Sequence, residues 1–152
     1  GNVVDSKAFA QAYPGSIDVA LGVRELIDRR DVAALPADVP ALAFQRATMT
    51  LRALKARLEA AGPQEPSALL LVEHRLWTRW QGSGPTLEMQ VHVDGPLPGD
   101  KVILTGESVL AALLEGSLTM EQARGAGAYS LQHSTAEQGL HGIPLREQAI
   151  WR

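Results

Sequence analysis

The residue types able to do chemistry in this chain are few, and their spacing limits what they could do. Ser108 lies in Gly106-Glu107-Ser108-Val109-Leu110, which starts like the Gly-x-Ser-x-Gly elbow of α/β-hydrolases but lacks the closing glycine, so it reads as a helix-start residue. His92 and Asp94 share one strand parity and could offer a nitrogen and an oxygen to a metal, but a third ligand would have to come from His133 or His141. Two ligands do not make a site, and a solvated strand face is the plainer reading. His74 falls at an apolar parity, where an imidazole must find a hydrogen-bond partner or stay neutral. It reads as a satisfied core histidine, against a ligand contact or a general base. Trp77 and Trp80 project to opposite faces of one strand and cannot form a joint stacking platform for bases. There is no Walker loop, dinucleotide glycine fingerprint or HExxH helix, and no cysteine for a thiol nucleophile, zinc–thiolate site or disulfide. The expectation is a chain with no catalytic residues, no metal and no cofactor.

What remains is apolar surface and the elements that carry it. Phe44, Ala47, Leu51, Leu54 and Leu58 recur at steps of three and four, which predicts a helix over about Leu42 to Ala60. In Ser67 to Trp80 the even positions Ala68, Leu70, Val72, Leu76 and Trp80 share one face of a predicted strand, with His74 and Thr78 among them. After Gln81 to Pro85, the alternation of Leu87, Met89, Val91 and Val93 against Glu88, Gln90, His92 and Asp94 predicts an antiparallel strand with one wet face. Val102 to Leu104 predict a further strand, and Val109, Leu110, Leu113 and Leu114 a short helix closed by Gly116. Thr119 and Gln122 form a capping box for the next helix. Tyr129 and Leu131 then alternate with Ser130 and Gln132 in a last strand. Upstream, Ser6 could start one helix ended by Pro14-Gly15, and Ser16 is the expected N-cap of a second that runs to about Arg30 through Ile17, Ala20, Leu21 and Val23 to Ile27.

The stretch Gly99 to Leu131 resembles the C-terminal half of the sterol-carrier-protein-type lipid-binding domain. In both, a strand and a helix reach a Gly-containing corner, here Glu115-Gly116-Ser117-Leu118-Thr119, before a short helix and a final strand. Ala123-Arg124-Gly125-Ala126-Gly127 matches the small-residue end of that family's penultimate helix. The pieces Leu69 to Trp80 and Thr86 to Val93 would be its antiparallel hairpin and Leu42 to Ala60 its first helix, so the resemblance covers roughly residues 41–133. It implies an apolar cavity between sheet and helices.

Length and composition bound the rest. The 152 residues make one domain, with a helical N-terminal segment over 1–40, a core over 41–133 and a tail over 134–152. With 45% apolar and 20% charged residues the composition is globular. A net charge of −3 argues against broad nucleic-acid binding. Arg46, Arg52, Lys55 and Arg57 against Glu59 form one local basic excess, read as a solvated helix face over an anionic-surface contact. No apolar run spans a bilayer, so no transmembrane segment is expected, and a start at Gly1 leaves export after removal of a leader and a cytoplasmic location both open.

The expected fold is α/β of the α+β kind, an antiparallel-rich sheet covered by helices, sterol-carrier-like with an extra helical N-terminal segment. The expected function is non-enzymatic binding of an apolar small molecule or lipid, a fatty acyl, sterol or isoprenoid chain. Leu70, Val72, His74, Met89, Val91, Leu110, Leu113 and Leu114 are expected to line one interior region. The alternative is a protein-interaction or homo-oligomerisation module with a filled, vestigial cavity.

Overall fold

The computed structural model describes residues 13–37 and 39–134. They form an α+β fold: α1 (Ser16–Asp28), α2 (Pro40–Ala61), β1 (Gln64–Leu71), β2 (Leu76–Gly82), β3 (Glu88–Val93), β4 (Lys101–Thr105), α3 (Glu107–Glu115), α4 (Met120–Gly125) and β5 (Tyr129–His133). A 3-10 turn, Gly84–Thr86, joins β2 to β3. The strands make one mixed sheet in the order β3-β2-β1-β4-β5. β1 pairs antiparallel with β2 and parallel with β4, and both outer pairs, β2–β3 and β4–β5, are antiparallel. Among the described residues no helix is long and apolar enough to cross a membrane.

Ser67 to Trp80 is two strands rather than one. The chain reverses at 72–75, where Arg75 takes a left-handed φ of 53° and the His74 N–H bonds Leu71 O at 3.1 Å. This turn contains no glycine or proline, so nothing in its composition announces it. Reversal exchanges the parity: Leu70 lies opposite Trp77, while Leu71 lies opposite Leu76 and Ser67 opposite Trp80. Directly paired residues share a face. Leu70, Trp77 and Leu104 therefore belong to one side, and Leu69, Leu71, Leu76, Trp80 and Ile103 to the other.

Both sides are covered, which is why β1 from Ser67 to Leu71 is buried throughout instead of alternating. α1 covers the Leu70 side against β4 and β5, and Tyr13 meets Trp77 edge-on with ring centroids 5.1 Å apart. The N-cap of α1 is Gly15, at φ 92°, and not Ser16. Gly22 in α1 lies so close to the chain before β5 that a Cβ there would sit 2.4 Å from Gly127 C. On the other side α2 buries Ala47, Leu51, Leu54 and Leu58. Phe44, expected in that stripe, is instead 44% exposed and stacks on His92 at 4.8 Å. Ile17 and Leu21, expected among the apolar positions of α1, are also exposed. α3 packs beside α2, where Arg57 Nη2 donates to Leu114 O at 2.7 Å.

β3 departs from the expected alternation. Val91 pairs with Thr78 but Val93 with the adjacent Trp77, so His92, at φ 62°, is an extra residue that moves Val93 to the opposite face. Val91 itself is 40% exposed on this edge strand rather than inward. The glycine stop at Gly116 (φ 83°) and the Thr119–Gln122 capping box form as expected. The helix expected from Ser6, and His141, lie outside the described residues.

Candidate functional site

The sharpest polar cluster gathers where the β1–β2 turn meets the start of α3. Glu107 opens that helix and is 2% exposed. Its carboxylate accepts from Arg46 Nε at 2.9 Å and from His74 Nε2 at 2.6 Å. A carboxylate only accepts, so His74 carries its hydrogen on Nε2 and Nδ1 is left to the surroundings. Both oxygens of Glu73 accept from the Glu107 N–H, at 3.0 and 2.9 Å, doing from a distant turn what an N-cap side chain does. Glu73 is exposed as a residue, yet its carboxyl end is turned inward toward Gly106. Loss of water there, with the Glu107 charge close by, lifts the Glu73 carboxyl above the usual glutamate range, and the Glu107 N–H and His74 oppose that rise.

Two depressions flank this cluster. The larger is an open cleft of about 810 Å³ between residues 30–36, α2 and α3; Val32, Leu35 and Pro36 wall it with Ala111 and Ala112, and Arg46, Thr50, Glu107 and Ser108 reach it. The smaller, about 230 Å³, is lined by Pro40, Ala43, Phe44, Leu76 and both His74 and His92. Ser108 and His74 thus face different depressions, and no hydrogen bond joins them. A nucleophile–base pair needs that bond.

The eight residues expected to line one interior region are dispersed. Leu70 lies on the α1 side of the sheet and Met89, opposite Trp80, on the α2 side. Val72 and His74 are in the turn rather than on a strand, Val91 is exposed, and Leu114 is half-buried. Leu110 and Leu113, at 1% and 5% exposure, are buried in α3. Leu70 and Val72 do border a shallow depression with Ile17 and Ala20.

His92 and Asp94 do not continue one strand parity, because the bulge at His92 breaks the alternation and Asp94 lies beyond β3, and His133 sits on the opposite edge strand. Among the described residues no three potential ligands gather. Trp77 and Trp80 point to opposite faces, as expected, and both are buried.

Sequence reading missed Glu73, Arg46 and Glu107 as a unit. Glu107 lies 61 residues from Arg46 and 33 from His74, and no local pattern links them. A second ion pair was also missed: half-buried Arg79 grips the buried Asp100 through Nε and Nη2 at 2.7 and 2.8 Å. Burial alone would raise the Asp100 carboxyl, but the Arg79 bonds and charge and the Leu97 N–H outweigh it and hold it below the usual aspartate range. No family model, curated protein or solved structure matches this chain.

Proposed function

We propose that this chain binds a neutral apolar molecule, of the sterol or isoprenoid kind, in the cleft between residues 30–36, α2 and α3. The observation that carries this reading is the cleft: its volume of about 810 Å³ falls in the range of small-molecule sites, and apolar residues, Val32, Leu35, Pro36, Ala111 and Ala112 among them, make up half of its lining. Each CH₂ removed from water there would contribute about 0.8 kcal/mol. The interior between sheet and helices is occupied by Leu54, Leu58, Ile103 and Leu110, none more than 1% exposed, so the ligand is assigned to the cleft and not to a central cavity.

Charge narrows the ligand. Arg30 and Arg46 border the cleft with Asp31, Glu107 and Glu115, and Arg46 is bound to Glu107. This lining offers no net positive field to a fatty-acid carboxylate. The hydroxyls of Ser108 and Thr50 suit an alcohol or carbonyl end instead. The reading assigns no reaction to the site.

Titration with a fluorescent sterol and a fluorescent fatty acid tests it. Saturable sterol binding, weaker fatty-acid binding, and an affinity lowered at least tenfold by Ala111→Trp at unchanged thermal midpoint are expected. Absence of saturable binding by both probes, with no apolar molecule retained in native mass spectra, would end this reading.

A further inference from the structure

We infer that the depression shared by His74 and His92 is a second binding site, which takes one phenol ring whose hydroxyl donates to Nδ1 of His74. It is separate from the cleft and does not rest on the reading given for the cleft. One wall comes from α2, where Pro40, Ala43, Phe44 and Ala47 stand at the i, i+3, i+4 and i+7 positions of a single helix face. Further along, that face buries Leu51, Leu54 and Leu58, so the apolar stripe of α2 continues past the core and over this depression. Ala47 and Leu76, at 1% and 5% exposure, form the floor, while Pro40 and Phe44 stay exposed at the rim. Unusual backbone serves the same spot. Among the described residues three that are not glycine have a positive φ, and two of them, Arg75 at 53° and His92 at 62°, lie beside or in this lining. Such costly conformations gather at ligand sites. At His92 the bulge brings the imidazole against Phe44, the rings 21° from parallel with centroids 4.8 Å apart.

Glu107 sets the polarity of the site. Its buried carboxylate holds the His74 hydrogen on Nε2 and Arg46 supplies the positive charge beside it, which leaves Nδ1 of a neutral imidazole as an acceptor. Among the described residues nothing donates to Nδ1, and this atom is not sealed from the surface as Thr78 Oγ1 and Trp80 Nε1 are. The lining carries no lysine or arginine to hold a carboxylate, so the ligand that fits is a neutral hydrogen-bond donor. Phe44 and His92 give a flat ring its aromatic wall. The volume of about 230 Å³ equals that of about eight waters in the liquid, room for one six-membered ring with its hydroxyl and a small substituent.

p-Cresol is the probe, titrated into the 152-residue chain carrying isotope-labelled histidine and followed by nitrogen NMR. It should move the Nδ1 resonance of His74 saturably, in the millimolar range expected of so small a ligand. Its methyl ether, which keeps the shape and lacks the donor, should bind about tenfold more weakly, and p-toluate should not saturate. Ala43→Trp fills the depression from a half-buried position and should abolish p-cresol binding at unchanged thermal midpoint. Glu107→Gln reads the polarity separately. Its amide oxygen serves Arg46 and its NH₂ donates to Nε2 of His74, so the ring hydrogen moves to Nδ1 and the preference turns from p-cresol to an acceptor such as acetophenone. N-acetyltyrosine amide separates the sources of the ring: tighter binding than p-cresol assigns the site to a tyrosine side chain, weaker binding to a free phenol. Equal binding of p-cresol and its methyl ether, binding indifferent to Ala43→Trp, or no saturable shift of His74 up to the solubility limit of p-cresol would each overturn the inference. Ala111→Trp, which blocks the cleft, should leave p-cresol binding unchanged; its loss there would put the ring in the cleft and overturn the inference as well.

Discussion

The carboxylate of Glu73 caps a helix that begins 34 residues later, holding the Glu107 N–H with both oxygens at 3.0 and 2.9 Å. The same Glu107 holds His74, the neighbour of Glu73, through its side chain. Turn and helix are therefore clamped twice, once through backbone and once through side chain.

Glu73→Ala removes the cap and should lower stability by about 1 kcal/mol. Glu73→Gln isolates the charge. Because folding raises this carboxyl, its contribution is full below the unfolded value of 4.5 and is lost as pH rises through the higher folded value. Wild type should therefore lose stability relative to Glu73→Gln as pH rises above 4.5, read as thermal midpoints across a pH series. A difference that runs the other way would refute the inward placement of the carboxyl.

The Arg79–Asp100 pair predicts the opposite slope. Folding lowers Asp100, so its contribution is present above the unfolded 3.8 and disappears as pH falls through the lower folded value. Asp100→Asn keeps one oxygen for the Leu97 N–H but removes the charge and one of the two bonds from Arg79, so a loss of about 2 kcal/mol is expected by urea unfolding at neutral pH. The gap between variant and wild type should shrink below pH 3.8. A gap constant with pH would mean that the pair adds nothing electrostatic.

Gly22 is required by space rather than by dihedral freedom. A methyl there would lie 2.4 to 2.6 Å from backbone atoms of Ala126 to Ala128, none of which can rotate away. Gly22→Ala should cost about 1 to 3 kcal/mol despite the gain in helix propensity. Hydrogen exchange should show the loss at α1 and β5. An unchanged or raised midpoint would contradict the close packing of α1 on this corner.

Thr78 Oγ1 and Trp80 Nε1 are buried on the α2 side of β2 without a hydrogen-bond partner. Thr78→Val keeps the shape and removes the orphaned hydroxyl, so stability should hold or rise by about 1 kcal/mol. A loss of comparable size would show that the hydroxyl is satisfied in solution.

What could be read from the sequence follows the range of the interaction. The Thr119–Gln122 box and the Gly116 stop involve residues within one turn, and the stripe of α2 follows from a period of 3.6, so pattern alone found them. The faces of the sheet did not follow, because a four-residue turn closed by Arg75 leaves no compositional mark and one unseen turn exchanges every later parity. The bulge at His92 did the same to Val93. The Glu107 cluster depends on which elements meet, and that is decided by the parallel pairing of β1 with β4.

That pairing is a seam between two halves of the chain, each of which completes its own antiparallel part of the sheet. The halves are also clasped across it: α1, from the first, lies on β4 and β5, while α3, from the second, lies beside α2. Covalent continuity between Val93 and Lys101 is thus the least needed link in the fold. A polypeptide cut there should still reassemble from its two fragments, with the rejoining of β1 to β4 as its slow, concentration-dependent step.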